Sequence, residues 1–216
     1  MRIGLDVCMF PCAKCTTLAC SKGPDERKPP GCPMIENQPI IDEAKRIYQD
    51  DGDVSKIFKA AAHVEKTGYL RWNRVRELIE FSNSMGFTKL GVAACIGLRE
   101  EAKILERILA ENGFEVFSVI CKFGSVSKSG VGIPPEDRFD PDKHESSCNP
   151  VGQALLLNQC STELNIIVGL CIGHDILFTQ HSQAPVTTLV VKDRVTGHNP
   201  IANLYVQYLR RQFKPE

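Results

Sequence analysis

From residue 87 onward the chain alternates short, continuous apolar runs with stretches that repeat at a helical period. The runs are Leu90-Gly91-Val92-Ala93-Ala94, Val116 to Ile120, Ile166 to Leu170 and Val186 to Val191, rich in β-branched residues. Such runs predict strands buried on both faces. Strands are expected near 88–94, 115–120, 165–170 and 186–191, and helices near 99–112, 151–160, 174–181 and 200–210. Asn112-Gly113 makes a good stop for the first of these helices, and Pro200 suits the first turn of the last. Strands joined by helical crossovers predict an α/β fold: a three-layer, Rossmann-like parallel sheet of about four strands.

Upstream the pattern is helical only. Ile41, Ala44, Lys45 and Tyr48 share one face; Ile57, Ala60, Ala61 and Val64 share another, over about 54–66. A third helix, about 73–85, turns Val75, Leu78, Ile79, Phe81 and Ser82 inward and stops at Gly86. Residues 1–39 lack any such period and hold five cysteines (8, 12, 15, 20, 32) and six prolines. A segment so poor in apolar residues usually needs a metal staple. The expected domains are a Cys-rich metal-binding module over 1–39, a helical connector over 40–86 and an α/β domain over 87–216. Residues 122–150 interrupt the last with a Gly-, Ser-, Pro- and charge-rich loop, and loops that long are usually functional or disordered.

Charge adds an exclusion. Lys+Arg and Asp+Glu both count 26, so no net field recruits nucleic acid or an anionic membrane. No apolar run reaches the roughly 18 residues of a membrane span, and no signal peptide is visible. A cytoplasmic setting follows. There, ten cysteines point to metal binding or redox chemistry rather than to disulfides.

The positions of those cysteines carry the chemistry. Cys95, Cys121 and Cys171 each come first after a predicted strand, and in a parallel sheet those ends line one edge. Open α/β sheets bind ligands there. Cys148-Asn149-Pro150 brings a fourth thiol from the long loop, just before a predicted helix whose N-terminus favours thiolate. Glycines after Cys95 and Cys171 leave room for a bulky group, and Lys122 sets a cation beside Cys121. These four could bind a cofactor together, or three could bind it and leave one reactive. For each alone, a buried small hydrophobe is the plain alternative. Cys160, late in a helix, reads as packing.

The N-terminal group runs Cys12-x2-Cys15-x4-Cys20-x11-Cys32-Pro33. It suits four-thiolate zinc, and its terminal Cys-Pro also suits a cluster; the spacing does not separate them. Cys8 is a substitute ligand or a bystander. Polar candidates gather near the same sheet edge. His174 and His198 have the chemistry of acid–base groups, Asp175 and Asn199 of helix caps, and Lys192 and Arg194 of anion binders. Candidate catalytic residues are His174, Asp175, Lys192 and His198. His63, His144 and His181 have no comparable context. No Walker loop, Gly-x-Gly-x-x-Gly, serine elbow or His-Glu-x-x-His occurs.

The N-terminal cysteine group, Gly91 to Leu98, Val119-Ile120-Cys121-Lys122 and Cys148-Asn149-Pro150 resemble one prokaryotic family, domain of unknown function 1847. Asn165 to Asp175 and Ala184 to Arg194 extend that resemblance, which spans most of the chain. Members are described as metal-binding proteins, so the resemblance implies metal binding without a reaction. The leading expectation is an iron–sulfur ([4Fe–4S]) enzyme or redox protein, with its cluster on some of Cys95, Cys121, Cys148 and Cys171. It would work with a small-molecule or redox partner. The alternatives are a zinc-binding structural or sensor protein and a thiol-based redox or sulfur-transfer enzyme. Assembly as a homo-oligomer stays open.

Overall fold

Each apolar run beyond residue 87 forms a strand in the computed structural model, which describes residues 12–50 and 52–213. In chain order the elements are α1 (Pro33–Glu36), α2 (Gln38–Gln49), α3 (Asp53–Gly68), α4 (Arg74–Met85) and β1 (Lys89–Ala94). Then come α5 (Arg99–Glu111), β2 (Glu115–Ile120), α6 (Pro150–Gln159), β3 (Leu164–Val168) and α7 (His174–His181). β4 (Val186–Val190), α8 (Ala202–Tyr205) and α9 (Gln207–Arg210) follow. The chain divides into two compact units between Ala62 and His63, inside α3.

In the second unit the four strands are parallel, in the order β2-β1-β3-β4. The chain leaves β1 for β2 on one side, then crosses to the other side for β3 and β4. That reversal, between β1 and β3, is where an open sheet leaves a crevice at its C-terminal edge. Strand alternation assigns the faces. Leu90, Val92, Ala94, Ile166 and Val168 pack with Leu78 and Ile79 of α4 and Leu105 and Leu109 of α5. Ala93, Val119 and Ile167 pack on the opposite face with Ala154 and Leu157 of α6 and Phe178 of α7. Cys95 and Cys121 belong to this second cluster, one step past the strand ends.

The helix stops act through backbone geometry. Asn73 Oδ1 accepts from Arg76 N–H (3.0 Å) to open α4, and Gly86 closes it at φ 72°. A glycine with a different duty is Gly91. A β-carbon there would collide with Asn165 Oδ1, which accepts from Thr162 Oγ1 (2.8 Å) while Asn165 Nδ2 donates to Ser182 Oγ (2.7 Å). Asn165 is fully buried and cannot step aside without breaking both bonds. Gly91→Ala is expected to cost at least about 2 kcal/mol, within the usual range for an overpacked core. Urea unfolding checks this; a midpoint equal to that of the parent would show that β1 and β3 can spread.

The helix expected over 200–210 is instead broken. Val206 is extended (φ −77°, ψ 111°) and separates α8 from α9, each of four residues. None of residues 201–213 is buried, so no core rewards a longer helix, and short unpacked helices are marginal.

In the first unit, 3₁₀ turns at Cys12–Lys14 and Ala19–Ser21 precede α1 and α2. Among the described residues from 12 to 50, Ala19 alone is buried. Its burial leaves the cysteine-rich segment without a hydrophobic core of its own. Among the described residues no helix is long and apolar enough to cross a membrane.

Candidate metal centre

At the C-terminal edge of the sheet, backbone hydrogen bonds extend the strand register by one residue. Cys95 N–H donates to Val168 O (3.0 Å) and Cys121 N–H to Ala94 O (2.9 Å), so both thiols are fixed by the sheet itself. Cys148 comes from the loop between β2 and α6. Asn149 N–H donates to Cys121 O (2.7 Å), Lys122 Nζ to Ser146 O (2.6 Å) and Ser147 N–H to Val126 O (2.6 Å). These bonds fold the loop back on its own start and set the Cys148 sulfur 3.7 Å from that of Cys121. Ser125, His144 and Ser146 add a triangle of hydrogen bonds at 3.0–3.2 Å, a context for His144 that no sequence pattern announced. Cys171 sits in the turn between β3 and α7, and Arg194 Nη2 donates to its sulfur (3.0 Å).

The electrostatics couple Cys121 to Cys148 and set Arg194 against Cys171. The Cys121 thiol is raised above its ordinary range, first by its hydrogen bond with Cys148 and then by burial. The Ile96 N–H on its sulfur (3.4 Å) opposes that shift without overcoming it. Cys148 is lowered to about 5, first by the hydrogen bond with Cys121, with the charges of Lys122 and His174 assisting. The pair thus holds one proton, on Cys121, and Cys148 is the thiolate. Cys171, through its hydrogen bond, and then the fields of Cys95 and Cys148 keep Arg194 protonated. Among the described residues, no three His, Cys, Asp or Glu side chains are yet gathered about one point as a metal ion requires.

The polar candidates divide by what holds them. Lys192 reaches the site: its Nζ lies 3.4 Å from where a β-carbon on Gly97 would stand, with Cys95 Sγ 3.9 Å from the same point. His174 opens α7, and its charge acts on Cys148. Asp175 Oδ1 accepts from the N–H of Ile176 (2.8 Å), inside the first turn of α7. His198 Nδ1 accepts from Asp193 N–H (3.1 Å), and its own N–H donates to Asp193 O (2.8 Å), which closes the loop after β4. Cys160 caps the end of α6, away from this edge of the sheet.

One residue behind the site had no sequence signal. Gln153 of α6 is fully buried and donates through Nε2 to Val119 O (2.8 Å) and Ala94 O (3.3 Å). It thereby fastens the ends of β1 and β2 immediately before Cys95 and Cys121. Its Oε1 is buried without a partner. A glutamine in an apolar helix looks like any solvated position until the fold turns it inward.

In the first unit, Cys12, Cys15, Cys20 and Cys32 all line one cavity of about 290 Å³, walled by Pro29, Pro30 and Pro33. All four are free thiols. Cys8 lies outside the described residues. Four soft donors around one space suit a thiolate-held metal or cluster, and the space exceeds what a single ion would fill.

Fold and site together define an open, parallel α/β protein with thiols and cations gathered at its switch point and a separate cysteine-lined cavity. The family described as "Protein of unknown function (DUF1847)" matches residues 32–189, from Cys32 into β4, and the chain belongs to it. It is also 43% identical over 197 residues to Uncharacterized protein MJ0455 of Methanocaldococcus jannaschii, covering 91% of this chain and 94% of that one.

Proposed function

We propose that the protein is a metalloprotein with thiolate-held centres in both units, and that the sheet-edge centre is an iron–sulfur cluster used in redox or sulfur-transfer chemistry. The observation that carries this reading is the meeting of Cys121 and Cys148 beside Cys95 and an Arg194-bound Cys171. Four thiols are the donor set for [4Fe–4S] and [2Fe–2S] clusters. N–H and guanidinium donors on the sulfurs, as at Cys121 and Cys171, favour the thiolate form that a cluster needs and tune its potential. The remaining polar groups follow from their positions. Lys192 and His174 would orient a small substrate or move a proton, while Asp175 and His198 act through the turns that they hold.

The separation of Cys121 and Cys148 favours a second reading, zinc, over a four-iron cubane. Thiolates bonded at about 2.3 Å to one tetrahedral ion stand about 3.8 Å apart, close to the 3.7 Å observed. A four-iron cubane takes one thiolate per iron, so these two sulfurs would have to part to serve it. Metal analysis of protein purified without oxygen separates the readings. Iron with matching acid-labile sulfide and absorption near roughly 400 nm is expected. About two zinc per chain without sulfide supports the second reading. Metal-free protein with every thiol titratable overturns both.

A further inference from the structure

The end of the described chain is an apolar arm. From Ile201 to Leu209 it carries no charged residue, and nothing from 201 to 213 is buried. Leu204 is 65% exposed, Tyr205 78%, Tyr208 71% and Phe213 60%. With Ile201 and Val206, these side chains present on the order of 700 Å² of surface. The largest apolar patch of a typical monomer is about 300–600 Å² and is often functional. Among the helices and strands, α8 packs against α9 and α9 against the turn that follows. A hydrogen bond from Asn203 Nδ2 to Asp193 Oδ2 (2.7 Å) ties it to the loop after β4.

Area and composition identify the occupant. One side of a standard protein interface buries about 800 Å², close to what the arm offers. Tyrosine, phenylalanine and arginine are enriched in such interfaces, and here two tyrosines and a phenylalanine share the arm with Arg210 and Arg211. A two-fold axis brings each central residue near its own copy, so a self-pairing surface must be free of charge at its middle. A partner recognised by charge would need the reverse. An arm with so little hold on its own domain can also be exchanged between subunits at little cost.

We propose that residues 201–213 form a two-fold interface occupied by the same arm of a second copy of this chain. The interface borders the thiol site, because the anchoring residue Asp193 precedes Arg194, whose guanidinium rests on Cys171. Light scattering of the eluting full-length protein should give twice the mass of one chain at micromolar concentration. The double substitution Tyr205→Asp with Tyr208→Asp should raise the dimer dissociation constant at least about 100-fold, as paired interface anchors do. Its circular dichroism should match that of the parent, since neither side chain is buried. A parent that is monomeric up to about 100 µM, well above the micromolar range of ordinary dimers, overturns the proposal. So does a dimer that tolerates the substitutions. A monomer whose arm resists proteolysis also overturns it and assigns the cover to the chain itself.

Discussion

Cys121→Ser is expected to empty the sheet-edge centre while leaving the N-terminal one loaded. Cys121 is the thiol on which the site turns: the sheet fixes its backbone, its sulfur receives the Ile96 N–H, and Cys148 lies against it. A serine hydroxyl can keep the Ile96 hydrogen bond and is smaller than the thiol, so the fold survives. It is nonetheless a poor ligand for a soft metal. Losing even an outer partner of a ligand costs about 10–100-fold in metal affinity, so losing the ligand itself should exceed about 100-fold. The measurement is metal and sulfide per chain in Cys121→Ser, with Cys160→Ser as the control. Cys12→Ser should give the mirror result, depleting the other centre. If Cys121→Ser carries the full parental metal load, the sheet-edge cysteines hold no metal and the proposed function fails for that site.

The second large effect concerns the protein stripped of metal. Cys148 is then expected to be its fastest-reacting thiol in mild acid. With its pKa lowered to about 5, it is about nine-tenths thiolate at pH 6, against a few thousandths for a cysteine of ordinary pKa of about 8.5. Weaker thiolates attack more slowly, by a Brønsted slope of about 0.4–0.5, which takes back much of that advantage. Roughly a tenfold excess over an unperturbed cysteine remains at pH 6. The direction in pH is specific. The alkylation rate of Cys148 should rise through about pH 5 and then stay flat, whereas an ordinary thiol keeps gaining tenfold per unit until about pH 8.5. Cys121, buried and holding the shared proton, should stay unmodified until the chain unfolds. Peptide mapping after brief iodoacetamide treatment gives both rates. A Cys148 rate that climbs steadily from pH 6 to pH 8 would show that Cys121, with Lys122 and His174, does not stabilise its thiolate.

The elements with the clearest apolar periods were legible from the chain alone. β2 and α7 have the expected bounds, and the other strands differ by a residue or two, where fraying decides the boundary. The arm was misread because periodicity reports what a helix would bury, not whether anything is there to receive it. At the site, Cys95 and Cys121 follow from strand alternation, so their neighbourhood could be read from the topology. The contact between Cys121 and Cys148 could not: it depends on a loop closed by Asn149, Lys122 and Ser147, and spacing carries no record of that closure. Arg194 was recognisable as a cation near the right edge, but its resting place on a sulfur was not. Gln153 had no signal at all, because its importance comes from two carbonyls contributed by distant strands.

The two cysteine groups also differ in when they can exist during synthesis. Cys12 and Cys15 stand three positions apart across a single 3₁₀ turn, so a nascent chain can present them together as soon as they leave the ribosome. The sheet-edge thiols meet only after β3 has been made and inserted beside β1, since Cys171 follows it. Whatever occupies that edge binds the finished architecture and not the growing polypeptide, so its presence weights the equilibrium toward the native chain.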